Sequence, residues 1–178
     1  MPLFSLSCRH LICICLFVST VYLSEDKPTK EYERQREKLL HESSPVAKVK
    51  ILIKMAEINL EEAGDSVRKG NLGEADKFLI RYSEVIHKAD ELLKSSHRNA
   101  QKNPAGFKDF EISLRKQLRK LADWRLSYPV DEQQKISEAI TSAEAAKEDM
   151  FQAIFGPENI RRGKSDHPEK ELNEASDR

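Results

Sequence analysis

Apolar residues return at steps of three and four along two stretches that meet near residue 70. Val46, Val49, Ile53, Ala56, Leu60, Ala63 and Val67 form the first series; Leu72, Ala75, Leu79, Tyr82, Ile86, Ala89 and Leu93 form the second. That spacing keeps one apolar seam on a helix and turns it toward a neighbour at a shallow angle. Leu52, Met55, Phe78, Val85 and Leu92 stand beside the seams and widen them. A seam this wide needs more than one neighbouring helix, so the pattern predicts a bundle. Lys69, Gly70 and Asn71 mark the turn between the two helices. Lys69 places a cation at the first helix end, Gly70 suits a left-handed C′ position, and Asn71 with Glu74 suits a capping box.

A second pair of helices follows. Asn103-Pro104-Ala105-Gly106 breaks the chain, and a third long helix is expected from about Phe107 to Ser127. Phe107, Phe110, Leu114, Leu118 and Leu121, then Trp124 or Tyr128, make its apolar face. Tyr128-Pro129 ends it, because the residue before proline is biased away from helix. Asp131 is the expected cap of the fourth helix, with Gln134 three residues on. Ile136, Ile140, Ala143, Ala146, Met150 and Ile154 line that helix, with Phe151 and Phe155 beside them, and Gly156-Pro157 should stop it.

The flanks read differently. Residues 1–24 have the layout of a signal peptide: Arg9 and His10, then the apolar run Leu11 to Leu23, then small residues. The run falls short of the roughly twenty apolar residues that span a bilayer. An uncleaved N-terminal anchor is the alternative. A lipoprotein fits less well, because Ile12 and Ile14 rather than small residues precede Cys13 and Cys15. Residues 25–43 form a polar leader. A short helix starting near Thr29 would carry Tyr32, Leu39 and Leu40, either docked at one end of the bundle or mobile. Ser44-Pro45 is a clean start for the first long helix, and residues 44–155 are the expected four-helix bundle. Residues 156–178 are polar and are expected to be a disordered tail.

Composition adds a few exclusions. Of 178 residues, 34% are charged, and the formal net charge is zero. Long exposed helix faces account for this, and a neutral total gives no general case for nucleic-acid binding. Cleavage near residue 24 would leave 29 Lys and Arg against 30 Asp and Glu. Cys8, Cys13 and Cys15 are the three cysteines, so a cleaved chain would fold without disulfides.

Candidate chemistry is sparse. Glu84 and His87 form one Glu-x-x-His, with Asp90 and Glu91 a turn further on. Di-iron bundles need that motif twice, plus a Glu from each remaining helix, and no second copy occurs. A metal-dependent enzyme built on Glu84 and His87 is therefore the least favoured reading, and no cofactor is implied. The sequence has no G-x-S-x-G and no phosphate-binding glycine loop. Arg115, Lys116, Arg119, Lys120 and Arg125 crowd the polar side of the third long helix, near Trp124 and Tyr128. Such a stripe, with an aromatic rim, suits anionic lipid heads or acidic polymers. The plainer alternative pairs it with acids on other helices: Glu57, Glu61, Glu62 and Asp65, or Glu138, Glu144, Glu148 and Asp149.

The segment AEINLEEAGDSVRKGNLGEADKFLIRYSEVIHKADELL, residues 56–93, resembles the helical hairpin of tetratricopeptide repeats. It does not recur about 34 residues on, as such arrays require. It more closely resembles helical domains of bacterial extracytoplasmic proteins. The matching residues are Ala56, Leu60, Glu62, Ala63, Lys69, Gly70, Asn71, Ala75, Leu79, Tyr82, Ile86, Ala89 and Leu92. The later stretch GFKDFEISLRKQLRKLADWRLSYPVDE resembles segments of acidobacterial secreted proteins. The resemblance rests on packing and capping positions, and implies fold and compartment without a catalytic residue.

The expectation is an all-α antiparallel up-and-down bundle of four long helices, secreted or periplasmic. It would be a non-catalytic module that binds or scaffolds an envelope protein. The alternative partner is an anionic membrane surface or polymer, bound through the third helix. Homo-oligomerisation is compatible with the generous seams.

Overall fold

The computed structural model describes residues 29–162, with side chains described as far as Gly156. The signal peptide expected at 1–24, the three cysteines and residues 163–178 of the expected tail lie outside the described residues. The described chain is all-helical: α1 (Lys30–His41), α2 (Pro45–Arg68), α3 (Leu72–Ser95), α4 (Phe107–Arg125) and α5 (Gln134–Arg162), with a short 3₁₀ turn at Val130–Glu132 before α5. No helix among these residues is long and apolar enough to cross a membrane.

Local chemistry explains the boundaries. The turn after α2 closes as a Schellman motif: Gly70 N–H donates to Val67 O at 3.0 Å, and Asn71 N–H to Ser66 O at 2.9 Å. Gly70 has φ of 75°, which a side chain would resist. The capping box expected beyond it is not formed. Asn71 makes no side-chain cap bond, and Glu74 pairs forward with Lys77 at 3.0 Å. Pro45 does occupy the first turn of α2 after Ser44, whose side chain also makes no cap bond.

The fourth long helix starts later than Asp131. Glu132 N–H donates to Pro129 O at 3.0 Å, winding Val130–Glu132 into the 3₁₀ turn and moving the start of α5 to Gln134. Gln133 fastens this turn to the end of α4: its Nε2 donates to Arg125 O at 3.3 Å and Tyr128 O at 3.1 Å. At the far end of α5, Gly156 leaves helical geometry (φ 58°, ψ 161°) but the helix resumes as far as Arg162. The expected stop is a kink, and residues 157–162, expected to be disordered, are helical.

α2 packs on α3, α3 on α5, α5 on α4, and α4 on α2, so the contacts close into a ring, with α1 lying on α2. Lys50 on α2 meets Asp109 on α4 at 3.6 Å. Gly64, near the end of α2, meets Trp124, near the end of α4. These two helices therefore run the same way. Lys94 and Asp149, 2.6 Å apart, join the last turn of α3 to the middle of α5.

Inside the ring, Val49, Leu52, Leu60, Leu79, Ile86, Leu93, Phe110, Leu114, Leu121, Ile136 and Met150 are fully buried. Each such side chain contributes about 1.5–3 kcal/mol by leaving water. Tyr82 and Gln117 are buried among them and meet across the ring, Tyr82 Oη to Gln117 Oε1 at 3.0 Å. Gln117 Nε2 in turn donates to Ser113 Oγ at 2.8 Å. The polar pair is thereby satisfied and fixes the register of α3 against α4.

Candidate anion-binding surface on α4

α4 is amphipathic by construction. Phe107, Phe110, Leu114, Gln117 and Leu121 turn inward, leaving the i, i+4 pairs Arg115/Arg119 and Lys116/Lys120 on its outer side. All four are exposed. The fifth cation of the stripe, Arg125, stands elsewhere around the helix. Its Nε donates to Gln133 Oε1 at 3.2 Å, so it belongs to the α4–α5 turn.

The four outer cations are not equivalent. Arg115 Nη2 donates to Glu111 Oε2 at 2.7 Å, and the Glu111 side chain is only 10% exposed. Arg115 is therefore engaged in neutralising a nearly buried carboxylate. Lys116 lies on the wall of a shallow groove between α4 and α2, with Lys50, Ile53, Glu57 and Asp109. Arg119 and Lys120 form no ion pair or hydrogen bond among the described residues.

Four of the eight acids expected to neutralise the stripe are occupied with their own helices or elsewhere. Glu57 pairs with Lys54, Asp65 with Arg68, Glu138 with Lys135 and Asp149 with Lys94. No ion pair joins an α4 cation to α2 or α5 among the described residues.

The aromatic rim resolves into two different roles. Tyr128 is buried at 4% exposure and belongs to the core. It faces Asp76 on α3, close enough for each to perturb the other, yet neither the Tyr128 hydroxyl nor Asp76 Oδ1 completes a hydrogen bond. Burial pushes both groups upward, the Tyr128 hydroxyl and the Asp76 carboxyl. Trp124 is half-buried with its ring against the backbone of Gly64.

Sequence reasoning did not single out Gly64, the seat of Trp124. The only signal was a glycine inside a helical series. It also missed Leu126, which is 87% exposed and follows Arg119 by seven residues, on the same side of the helix axis. Val130, in the adjoining turn, is 88% exposed. The outer side of α4 thus presents two cations unpaired among the described residues and leads to two solvent-facing apolar side chains.

Glu84 and His87 are both exposed on α3. His87 Nε2 stands 3.3 Å from Glu91 Oε1, and each side chain is about two-thirds exposed. No group of three or more potential metal ligands occurs among the described residues. No family model, curated protein or solved structure matches the chain.

Proposed function

We propose that this chain is a non-catalytic binding module of the cell envelope, secreted or periplasmic after loss of residues 1–24. In this reading α2–α5 form an antiparallel up-and-down four-helix bundle, and the outer side of α4 docks an acidic surface of an envelope protein. One observation carries the proposal: Arg119 and Lys120 are exposed cations with no ion-pair partner among the described residues, on a helix side that ends in exposed Leu126. Exposed charges of this kind steer association and set its salt dependence, while an apolar side chain beside them supplies burial on docking.

The test is pull-down of the purified protein from envelope extracts at two salt concentrations, with the double substitution Arg119→Glu and Lys120→Glu as control. Recovery of one acidic protein should fall at high salt. It should fall about tenfold or more with the charge-reversed protein, whose circular dichroism stays that of the wild type. Equal recovery by both proteins would overturn the assignment to α4.

A second reading, binding of an anionic lipid or polymer, is favoured by the near-complete exposure of both Leu126 and Val130. It predicts sedimentation with vesicles containing phosphatidylglycerol and none with phosphatidylcholine alone. Binding to neither leaves the protein-partner reading.

A further inference from the structure

We infer that the α4–α5 turn, residues 126–133, is a proton-operated latch: Tyr128 seats it against Asp76 of α3, and loss of the Asp76 proton releases it. The inference goes beyond the proposed docking role and stands without it.

The turn has a single plug. Of residues 126–133 only Tyr128 is buried; Gln133 is partly covered and the others are exposed. The hydrogen bonds of the turn are local. Ser127 N–H donates to Trp124 O at 2.8 Å, Tyr128 N–H to Arg125 O at 3.2 Å and Glu132 N–H to Pro129 O at 3.0 Å. The Gln133 side chain bonds Arg125 O and Tyr128 O, again within the α4–α5 connection. None of these bonds reaches α3. The Tyr128 ring therefore seats the turn on the bundle, and a segment with so few buried contacts opens at low cost.

The plug meets a carboxyl group that is poorly provided for. Asp76 Oδ1 and the Tyr128 hydroxyl are both shut off from solvent, and neither completes a hydrogen bond. Lys135 and Glu138 approach Asp76 from α5, and Glu132 approaches Tyr128 from the 3₁₀ turn. Lys135 is already paired with Glu138 at 2.9 Å, and no cation forms an ion pair with Asp76 among the described residues. An ionised Asp76 in this seat has neither a donor in place on Oδ1 nor a counter-ion of its own, whereas a protonated carboxyl fits. Burial accordingly pushes the Asp76 carboxyl upward; the Tyr128 hydroxyl and Lys135 oppose that shift, and Glu138 adds to it.

The direction of the switch follows. With the turn closed, the Asp76 carboxyl is buried; with the turn open, water reaches it and returns it to the ordinary carboxylate range. The closed turn therefore holds the proton more tightly. It is favoured at low pH and gives way as pH rises through the closed-state titration of Asp76. Burial also pushes the Tyr128 phenol upward, so Tyr128 keeps its proton across that range and adds no second step. Leu126 and Val130, both largely exposed, ride on the turn and move with it.

The test is amide hydrogen exchange of the purified protein from about pH 4 to about pH 7, wild type against Asp76→Asn, read at Ser127, Tyr128 and Glu132. Asparagine mimics the protonated carboxyl, and comparison at equal pH cancels the pH dependence of exchange itself. Wild-type rates should approach those of Asp76→Asn at the acid end and exceed them several-fold at the neutral end. These amides should also be less protected than those of Leu60 and Ile86, deep in α2 and α3, which exchange only when the whole fold opens. Tyr128→Phe keeps the plug but removes the hydroxyl that favours the ionised carboxylate, so the excess over the matching Asp76→Asn double variant should grow. Three results would each overturn the inference: turn amides protected as strongly as Leu60 and Ile86, a ratio of wild type to Asp76→Asn that does not change with pH, or an excess that disappears with the Tyr128 hydroxyl.

Discussion

Replacing Gly64 with alanine sets two effects of opposite sign against each other. Alanine in a helix interior is favoured over glycine by about 1 kcal/mol. At Gly64, however, the added Cβ would stand 2.5 Å from Trp124 Cζ2, 2.9 Å from Cη2 and 3.1 Å from Cε2. Three ring atoms are too close at once, and an indole moves as a rigid plate. Crowding of that kind costs about 1–3 kcal/mol. Trp124 is half-buried near the end of α4, so part of the strain is relieved by tilting the ring outward. The expected net loss for Gly64→Ala is about 1 kcal/mol, a fall of roughly 3–6 °C in Tm for a domain of this size. The decisive control is the same substitution in a Trp124→Ala background. With the ring gone only the helix preference remains, and Gly64→Ala should become stabilising by about 1 kcal/mol. Urea unfolding followed by circular dichroism measures both. A Gly64→Ala effect of the same sign with and without Trp124 would refute the packing argument.

Other consequences are equally direct. Tyr82→Phe should cost about 1–3 kcal/mol in urea unfolding by leaving Gln117 Oε1 buried without its donor, and adding Gln117→Leu should recover part of the loss. Lys94 bridges Asp90 and Asp149 at 2.7 and 2.6 Å, with the Asp90 side chain only 9% exposed, so Lys94→Ala should cost about 1–2 kcal/mol and Asp149→Ala less, because Asp90 then keeps its cation. Burial raises the folded-state carboxyl of Asp76 above its unfolded value, so Asp76 favours folding at low pH and loses that contribution as pH rises through its folded titration. The stability of Asp76→Asn relative to wild type should therefore rise from pH 4 to pH 7, as measured by urea midpoints. A relative stability that falls over that range would contradict the desolvation account.

The helices themselves were legible because each has a wide 3-4 apolar series, and a tertiary core only reinforces such a pattern. Even α1, with a thin apolar stripe, was readable as a short helix starting near Thr29 and carrying Tyr32, Leu39 and Leu40, of which Leu40 turns out exposed. Two boundaries were misplaced for a common reason. At Asp131 and at Gly156-Pro157 local residue type suggested a helix signal, but the backbone had another way to satisfy its bonds: a 3₁₀ turn on Pro129, and helix resumed past a single non-helical glycine.

The candidate site was only half readable. Cation spacing placed Arg115, Lys116, Arg119 and Lys120 on one side of α4, but not which of them are spent. Glu111 looks like any helical glutamate in sequence; its burial, which commits Arg115, depends on the neighbouring helices. Arg125 was grouped with the stripe because it is close in sequence, yet five or six residues from Lys120 and Arg119 it lies on another side of a 3.6-residue helix. Tyr128 and Trp124 competed for one core position. The bare backbone at Gly64 holds the indole, and the tyrosine goes to the interior.

Site-specific photo-crosslinking in intact source cells tests the central claim most directly, with the reactive side chain placed at Leu126 and, as a control, at exposed Thr141 on α5. The account predicts a recurrent envelope partner at position 126, lost when Arg119 and Lys120 are reversed to glutamate, and none at position 141. Equal crosslinking at both positions, or a partner at 126 that persists after charge reversal, would contradict it.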